Sequence, residues 1–168
     1  GFSIEQWKEL KNKCEEQEIA FLSSPFSIEA VELLEKVGVE YYKIPSGEVT
    51  NLPMLKVIAE TKKPVLLSSG MSSWEELDNA VNTILKVHNN ITVMQCTSEY
   101  PCLYENVGLN IMVEMKERYQ LPIGFSDHTL TNFASYAAVT LGATVIEKHL
   151  TFSKKMYGSD AKHSIEPD

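Results

Sequence analysis

Ile123-Gly-Phe-Ser-Asp-His128 starts apolar and ends polar, and five other segments of the chain do the same. They are Phe21-Leu-Ser-Ser-Pro25, Tyr42-Lys-Ile-Pro-Ser-Gly-Glu48, Val65-Leu-Leu-Ser-Ser-Gly70, Val93-Met-Gln-Cys-Thr-Ser-Glu-Tyr100 and Val145-Ile-Glu-Lys-His149. Each reads as a buried strand, the first over 19–23 and the fourth over 91–96, whose C-terminal end carries hydroxyls, carboxylates, a lysine or a histidine. Helical patterns separate them. Ser3-Ile-Glu-Gln6 is a capping box that opens a helix with Trp7, Leu10 and Cys14 on one stripe. Ser27 caps a second helix, with Val31, Leu34 and Val37 inward and Gly38 closing it. Pro53 sits in the first turn of a short helix that runs to about Thr61. Ser73-Trp-Glu-Glu76 is another capping box, after which Leu77, Ala80, Val81, Ile84 and Leu85 keep a 3.6-residue period. Residues 110–119 and 131–141 give two more helices, the last capped by Thr131.

Six alternating strand and helix signals imply a parallel sheet covered by helices. An open doubly wound sheet gathers its ligand groups at one switch point in the strand order. Here every strand end is chemically equipped, which is the habit of a (β/α)8 barrel, where all the loops after the strands meet at one mouth. A complete barrel has eight strands in about 250 residues. The chain has 168, begins on a helix and reaches Pro167-Asp168 before a last helix. The expectation is therefore an α/β fold, an incomplete (β/α)8 TIM barrel covering strands three to eight, with strands one and two and the last helix missing. Residues 1–168 contain no linker or composition break, so they read as a single partial catalytic domain with open edges that invite association.

Composition narrows the function classes. A 43% hydrophobic and 23% charged content is that of a globular protein, with no apolar run long enough to span a bilayer and no secretory leader, so the chain reads as cytoplasmic. Fifteen basic against 23 acidic residues give a net charge of −8, which disfavours nucleic acid and anionic membranes as partners. A local positive pocket for a small anion remains compatible with that balance. Cys14, Cys96 and Cys102 are odd in number and form no C-x-x-C pair, so they read as reduced thiols, neither a disulfide framework nor a zinc site.

The strand ends carry two constellations. Lys43 and Glu48 flank Pro45-Ser46-Gly47, where glycine lets backbone N–H groups approach a ligand and Ser46 adds a donor. With Ser23, Ser24, Ser68, Ser69 and Ser126 they form a ring of hydroxyls and amides around a lysine, as a phosphate or carboxylate requires. The plainer reading, that such hydroxyls cap the following helices, is preferred for Ser27, Ser73 and Thr131. His128 and His149 form the second constellation, ending consecutive strands. Strand alternation places Ser126 with His128 and Glu147 with His149, and turns Asp127 and Lys148 the other way. Two imidazoles with open positions suit a divalent ion such as Mn²⁺, which polarises a carbonyl. The alternative is a metal-free, hydrogen-bonded pair lining the pocket. His88 ends a helix near its buried stripe and reads as structural, Cys96 reads as a small core residue, and His163 has no assigned role.

Taken together, Lys43-Ile-Pro-Ser-Gly-Glu48, Leu67-Ser-Ser-Gly-Met71, Cys96-Thr-Ser-Glu-Tyr-Pro101, Phe125-Ser-Asp-His-Thr129, Ile146-Glu-Lys-His149 and Gly158-Ser-Asp160 with Ser164-Ile-Glu-Pro167 resemble the sialic acid synthase (N-acetylneuraminate synthase) family. The resemblance covers nearly the whole chain. It implies a barrel transferase that condenses phosphoenolpyruvate with an N-acylated hexosamine, usually N-acetylmannosamine, to a nine-carbon 2-keto acid and phosphate, assisted by Mn²⁺ or Mg²⁺. By position it implies that His128 and His149 hold the metal and that Lys43, Ser24, Ser46, Ser68 and Ser126 bind phosphoenolpyruvate. Glu48, Tyr100 and Asp160 would contact the amino sugar, and Glu147 would handle a proton. It further implies a homo-oligomer in the full-length form. The family's motifs on the first two strands and its C-terminal antifreeze-like domain have no counterpart in these residues. Ala161 follows Asp160 where many relatives carry histidine, and Cys102-Leu103 replaces a small residue and proline. On this basis the isolated chain is expected to be a fragment with little turnover. Two other readings stay open, another phosphoenolpyruvate-dependent barrel synthase acting on a phosphorylated sugar, and a non-catalytic truncated assembly module.

Overall fold

Ser3 and Ser27 start the first two helices as their sequence signatures require, in a computed structural model that describes residues 1–167. The described residues group into two compact units, 1–67 with 74–91, and 68–73 with the chain from Thr92 onward. The five strands are parallel and their order in the sheet is the order of the chain. That progression lacks the reversal of strand order that defines a doubly wound sheet, and it is the topology of part of a (β/α)8 barrel. Among the described residues no helix is long and apolar enough to cross a membrane.

The first unit contains α1 (Ile4–Glu16), α2 (Ile28–Val37), β1 (Tyr42–Ile44), α3 (Leu52–Glu60), β2 (Val65–Ser68, to Leu67 in this unit) and α4 (Trp74–Leu85). Ser3 and Gln6 cap α1 reciprocally, yet α1 buries no residue. Its Trp7 instead meets the rings of Phe2 and Phe21 edge-on, at 5.7 and 6.2 Å. In α2 the Ser27 hydroxyl accepts from the Ala30 N–H at 3.2 Å, Val31, Leu34 and Val37 are buried, and Gly38 closes the helix at φ 83°. Tyr42 pairs with Val65 and Ile44 with Leu67, so β1 and β2 bury their apolar side chains together with Met54, Leu55, Ile58 and Ile84. The Tyr42 hydroxyl donates to Glu35 at 2.7 Å, and Lys63 donates to the same carboxylate oxygen at 2.6 Å.

Three sequence expectations change here and in the next unit. The strand expected over 19–23 reduces to a single bridge from Ser23 to Tyr42, because Ile19 and Leu22 are 61% and 38% exposed and have no ladder partner among the described residues. Among the described residues the count of strands is accordingly five, not six. Leu85, counted in the 3.6-residue period of this helix, is 38% exposed because it is the last residue of α4.

The second unit contains β3 (Ile91–Cys96, from Thr92), α5 (Leu109–Tyr119), β4 (Ile123–Asp127), α6 (Phe133–Thr140) and β5 (Val145–Lys148). Cys96 pairs with Ser126, and Ser126 with Glu147. β4 is buried along its whole length, whereas β5 is half-buried to exposed. Gly124 belongs in β4 because an added Cβ would lie 3.0 Å from both Met94 Cγ and the Val145 carbonyl oxygen. α6 turns small residues inward, Ala134, Ser135 and Ala138, and leaves Phe133, Tyr136 and Val139 exposed. Its cap is Asn132, not Thr131, whose hydroxyl accepts from the Phe133 N–H at 3.4 Å from one position further out.

Candidate active site

Period-two alternation on β4 and β5 divides their polar residues between two faces. On one face Ser126 donates to Glu147 Oε1 at 2.7 Å and lies 3.4 Å from His128 Nε2. On the other, Lys148 forms an ion pair with Asp127 at 2.9 Å. Asp127 also accepts from the Thr129 N–H and the Ser135 hydroxyl, at 2.8 and 2.6 Å. Burial acts to raise the Asp127 carboxyl, but the bonds from Ser135, Lys148 and Thr129 outweigh it and hold the group below its usual range. The two faces thus differ, one gathering Ser126, His128 and Glu147 and the other tying the two strands together through Asp127 and Lys148.

His128 is 5% exposed, and its Nδ1 lies 2.7 Å from the Thr97 carbonyl oxygen. A carbonyl only accepts, so Nδ1 carries the proton and Nε2 keeps its lone pair. The Ser126 proton goes to Glu147, so the 3.4 Å contact leaves that lone pair unused. Burial holds the imidazole below its ordinary value, with the nearby His149 acting in the same direction, which favours the neutral ring a metal needs. The His149 ring lies 5.5 Å from that of His128, and its Nδ1 is 4.0 Å from Asp160 Oδ2. Tyr100 completes the group, stacked on His128 at 4.1 Å and edge-on to His149 at 5.7 Å. Burial, followed by the neighbours Cys96, Glu147 and Asp160, pushes the Tyr100 phenol up, so it stays protonated. Among the described residues no group of three or more His, Cys, Asp or Glu side chains is placed to hold a metal ion.

Six of the expected residues, Tyr100, Ser126, His128, Glu147, His149 and Asp160, are therefore within one cluster of the second unit. Ser68 is buried at the end of β2, and the next residue, Ser69, donates to Gln95 Oε1 at 3.3 Å. The remaining four belong to the first unit. Lys43 is buried within β1, Ser46 and Glu48 form a short helical turn after Pro45, and Ser24 is half-buried one residue after the Ser23 bridge. Glu48 accepts from the Asn51 side chain at 2.8 Å, which fixes its carboxylate at the start of α3.

A model of the NeuB family matches residues 1–168. The chain belongs to the NeuB family. It is 47% identical to the N,N'-diacetyllegionaminic acid synthase of Campylobacter jejuni over 163 residues, covering 95% of this chain and 49% of that protein. It is 37% identical to the human N-acetylneuraminate-9-phosphate synthase, covering 99% of this chain and 46% of that protein. The structure of the N-acetylneuraminic acid synthetase from Leptospira borgpetersenii superposes with a TM-score of 0.94 at 32% identity, over 99% of this chain and 58% of that one. The chain spans about half the length of the curated relatives it matches.

Two participants in this NeuB-family site are missed by motif reading. Thr97 acts through its carbonyl, a group every residue has, so no side-chain pattern marks it. Gln95 does leave a signal, a lone amide in the otherwise apolar run Val93-Met-Gln-Cys96, and it is buried at 5% exposure.

Proposed function

We propose that this chain contributes its site to a sugar-acid synthase that joins phosphoenolpyruvate to an N-acylated hexosamine such as N-acetylmannosamine. The observation that carries the proposal is the His128 and His149 pair, neutral imidazole beside neighbouring imidazole at the ends of adjacent strands, in a chain of the NeuB family. C3 of the enol attacks the sugar aldehyde, water adds at C2, and the C–O bond to phosphate breaks, so a nine-carbon 2-keto acid and inorganic phosphate form. His128, through Nε2, and His149 would hold Mn²⁺ or Mg²⁺; their donor chemistry fits such an ion, which when bound supplies Lewis-acid polarisation of a carbonyl oxygen.

The chain's own groups do the rest in this reading. Lys43, Ser24, Ser46, Ser68 and Ser126 bind the phosphate and carboxylate of phosphoenolpyruvate, while Glu48, Tyr100 and Asp160 orient the amino sugar. Glu147, hydrogen-bonded to Ser126, moves the proton of the water that adds at C2. Fixed donors aimed at developing charge are the main source of acceleration in such a site. The active form in this reading is a homo-oligomer, and turnover needs more polypeptide than these 168 residues; the half-length coverage of the relatives supports the second point. Phosphate release is the deciding measurement, with phosphoenolpyruvate, Mn²⁺ and in turn N-acetylmannosamine, its 6-phosphate and a diacetylated hexose. Release that requires both phosphoenolpyruvate and one of these sugars is expected when the chain is extended to the length of its relatives. No release from any pairing in that longer protein, or full turnover by the 168 residues alone, counts against the respective parts of the proposal.

A further inference from the structure

The segment 97–108 connects β3 to α5 and touches His128 in three ways. The Thr97 carbonyl accepts from His128 Nδ1 at 2.7 Å, the Tyr100 ring stacks on the imidazole, and the Cys102 N–H donates to the His128 carbonyl at 3.0 Å. The ring orientation of His128 thus depends on where this loop lies. Both ends of the loop are tied to one buried amide. Gln95 Nε2 donates to Thr97 Oγ1 at 3.4 Å and to the Val107 carbonyl at 3.3 Å. The Thr97 hydroxyl in turn donates to the Asn106 carbonyl at 2.7 Å, drawing the same two ends together. From behind, Ser69 donates to Gln95 Oε1 while accepting the Cys96 N–H, both at 3.3 Å, so the amide cannot rotate without losing a partner on each side.

Gly108 shows how closely this amide is fitted. Its φ is +69°, and a Cβ there would lie 2.3 Å from Gln95 Nε2. A side chain at 108 can therefore enter only if Gln95 leaves its place. We propose that Gln95 is a positioning residue, whose amide closes the loop 97–108 and thereby fixes the Thr97 carbonyl and the Tyr100 ring that set the tautomer and orientation of His128. A Gln95 that merely satisfied buried polar groups would leave the state of His128 unchanged when removed.

The test reads that state directly in the intact protein, by long-range proton–nitrogen NMR correlations that separate a protonated Nδ1 from a protonated Nε2. In wild type, His128 is expected as the single Nδ1–H tautomer. In Gln95→Leu the signature becomes a mixture while cooperative melting is kept, and Gly108→Ala, which displaces the amide without deleting it, gives the same change. Gly108→Ala should also disturb His128 less when Gln95 is already alanine, because the two changes act through one contact. An unchanged tautomer in either folded single variant overturns the proposal. So does the failure of both variants to fold, since that assigns Gln95 to core stability alone. The inference rests in part on the metal reading of His128, and Mn²⁺ titration separates the two. On that reading, affinity falls roughly 10-fold or more in Gln95→Leu, as for other groups that orient a ligand histidine. A wild type that does not bind Mn²⁺, with the expected tautomer change still seen in the two variants, removes the metal and leaves the positioning role.

Discussion

Asp127 and Lys148 pair across strands, as their neighbours Ser126 and Glu147 do, but they turn to the opposite face and are almost wholly buried. A buried ion pair adds little net stability over an apolar pair, yet removing one partner strands the other charge. Lys148→Met therefore leaves the Asp127 carboxylate without its cation and should lower unfolding free energy by about 3–5 kcal/mol, read by urea denaturation. His128→Ala belongs to the other face. It should reduce Mn²⁺ affinity at least ~10-fold by calorimetric titration, the lower end of what loss of a merely orienting neighbour costs; equal affinity in the variant takes His128 out of the ligand set. The division between these faces was legible in the sequence, because the order Ser126, Asp127, His128 and the order Glu147, Lys148, His149 obey one two-residue period. The Thr97 carbonyl and the clamp at Gln95 were not, because backbone acceptors and loop closure leave no periodic trace.

At the scale of elements, the helices with side-chain caps were the readable part. Ser27 and Gly38 bracket α2 as expected, and replacing the Ser27 cap by alanine should cost about 1 kcal/mol, measurable as a lower denaturation midpoint. The strands divide differently. Residues 91–96 were placed by their apolar run and its polar ending, and β3 has those bounds. The segment 19–23 carries a similar signal and forms one bridge, because a strand exists only where a neighbour supplies hydrogen bonds, and sequence reports suitability without reporting the neighbour. Gly124→Ala tests how tightly the ladder is drawn. The new methyl would press on Met94 and on the Val145 carbonyl, and an overpacking loss of about 1–3 kcal/mol in the same assay is expected.

For the molecule as a whole, acidity sets how stability responds to pH. Burial acts to raise the Glu35 carboxyl, but the bonds from Lys63 and Tyr42 prevail and hold it below its usual value. A depressed folded value means that this group's contribution is fully present above the unfolded carboxylate value and is lost as pH falls through the folded one. The stability gap between wild type and Glu35→Gln should thus be constant from pH 7 down to the ordinary carboxylate range and close below it. The gap is expected to be modest, because the Glu35 side chain is 38% exposed and solvent screens the pair.

The division of labour between β4 and β5 carries an arithmetic of its own. Inserting one residue ahead of Ser126 would send His128 to the face that Asp127 now occupies and bring the aspartate forward, exchanging an imidazole for a carboxylate. A two-residue insertion would restore every side chain to its face and shift it only along the strand. The strand therefore imposes parity on change. Odd-length insertions and deletions before the histidine invert the chemistry of the site, even-length ones translate it, and related chains that keep the site should differ in this strand only by even steps.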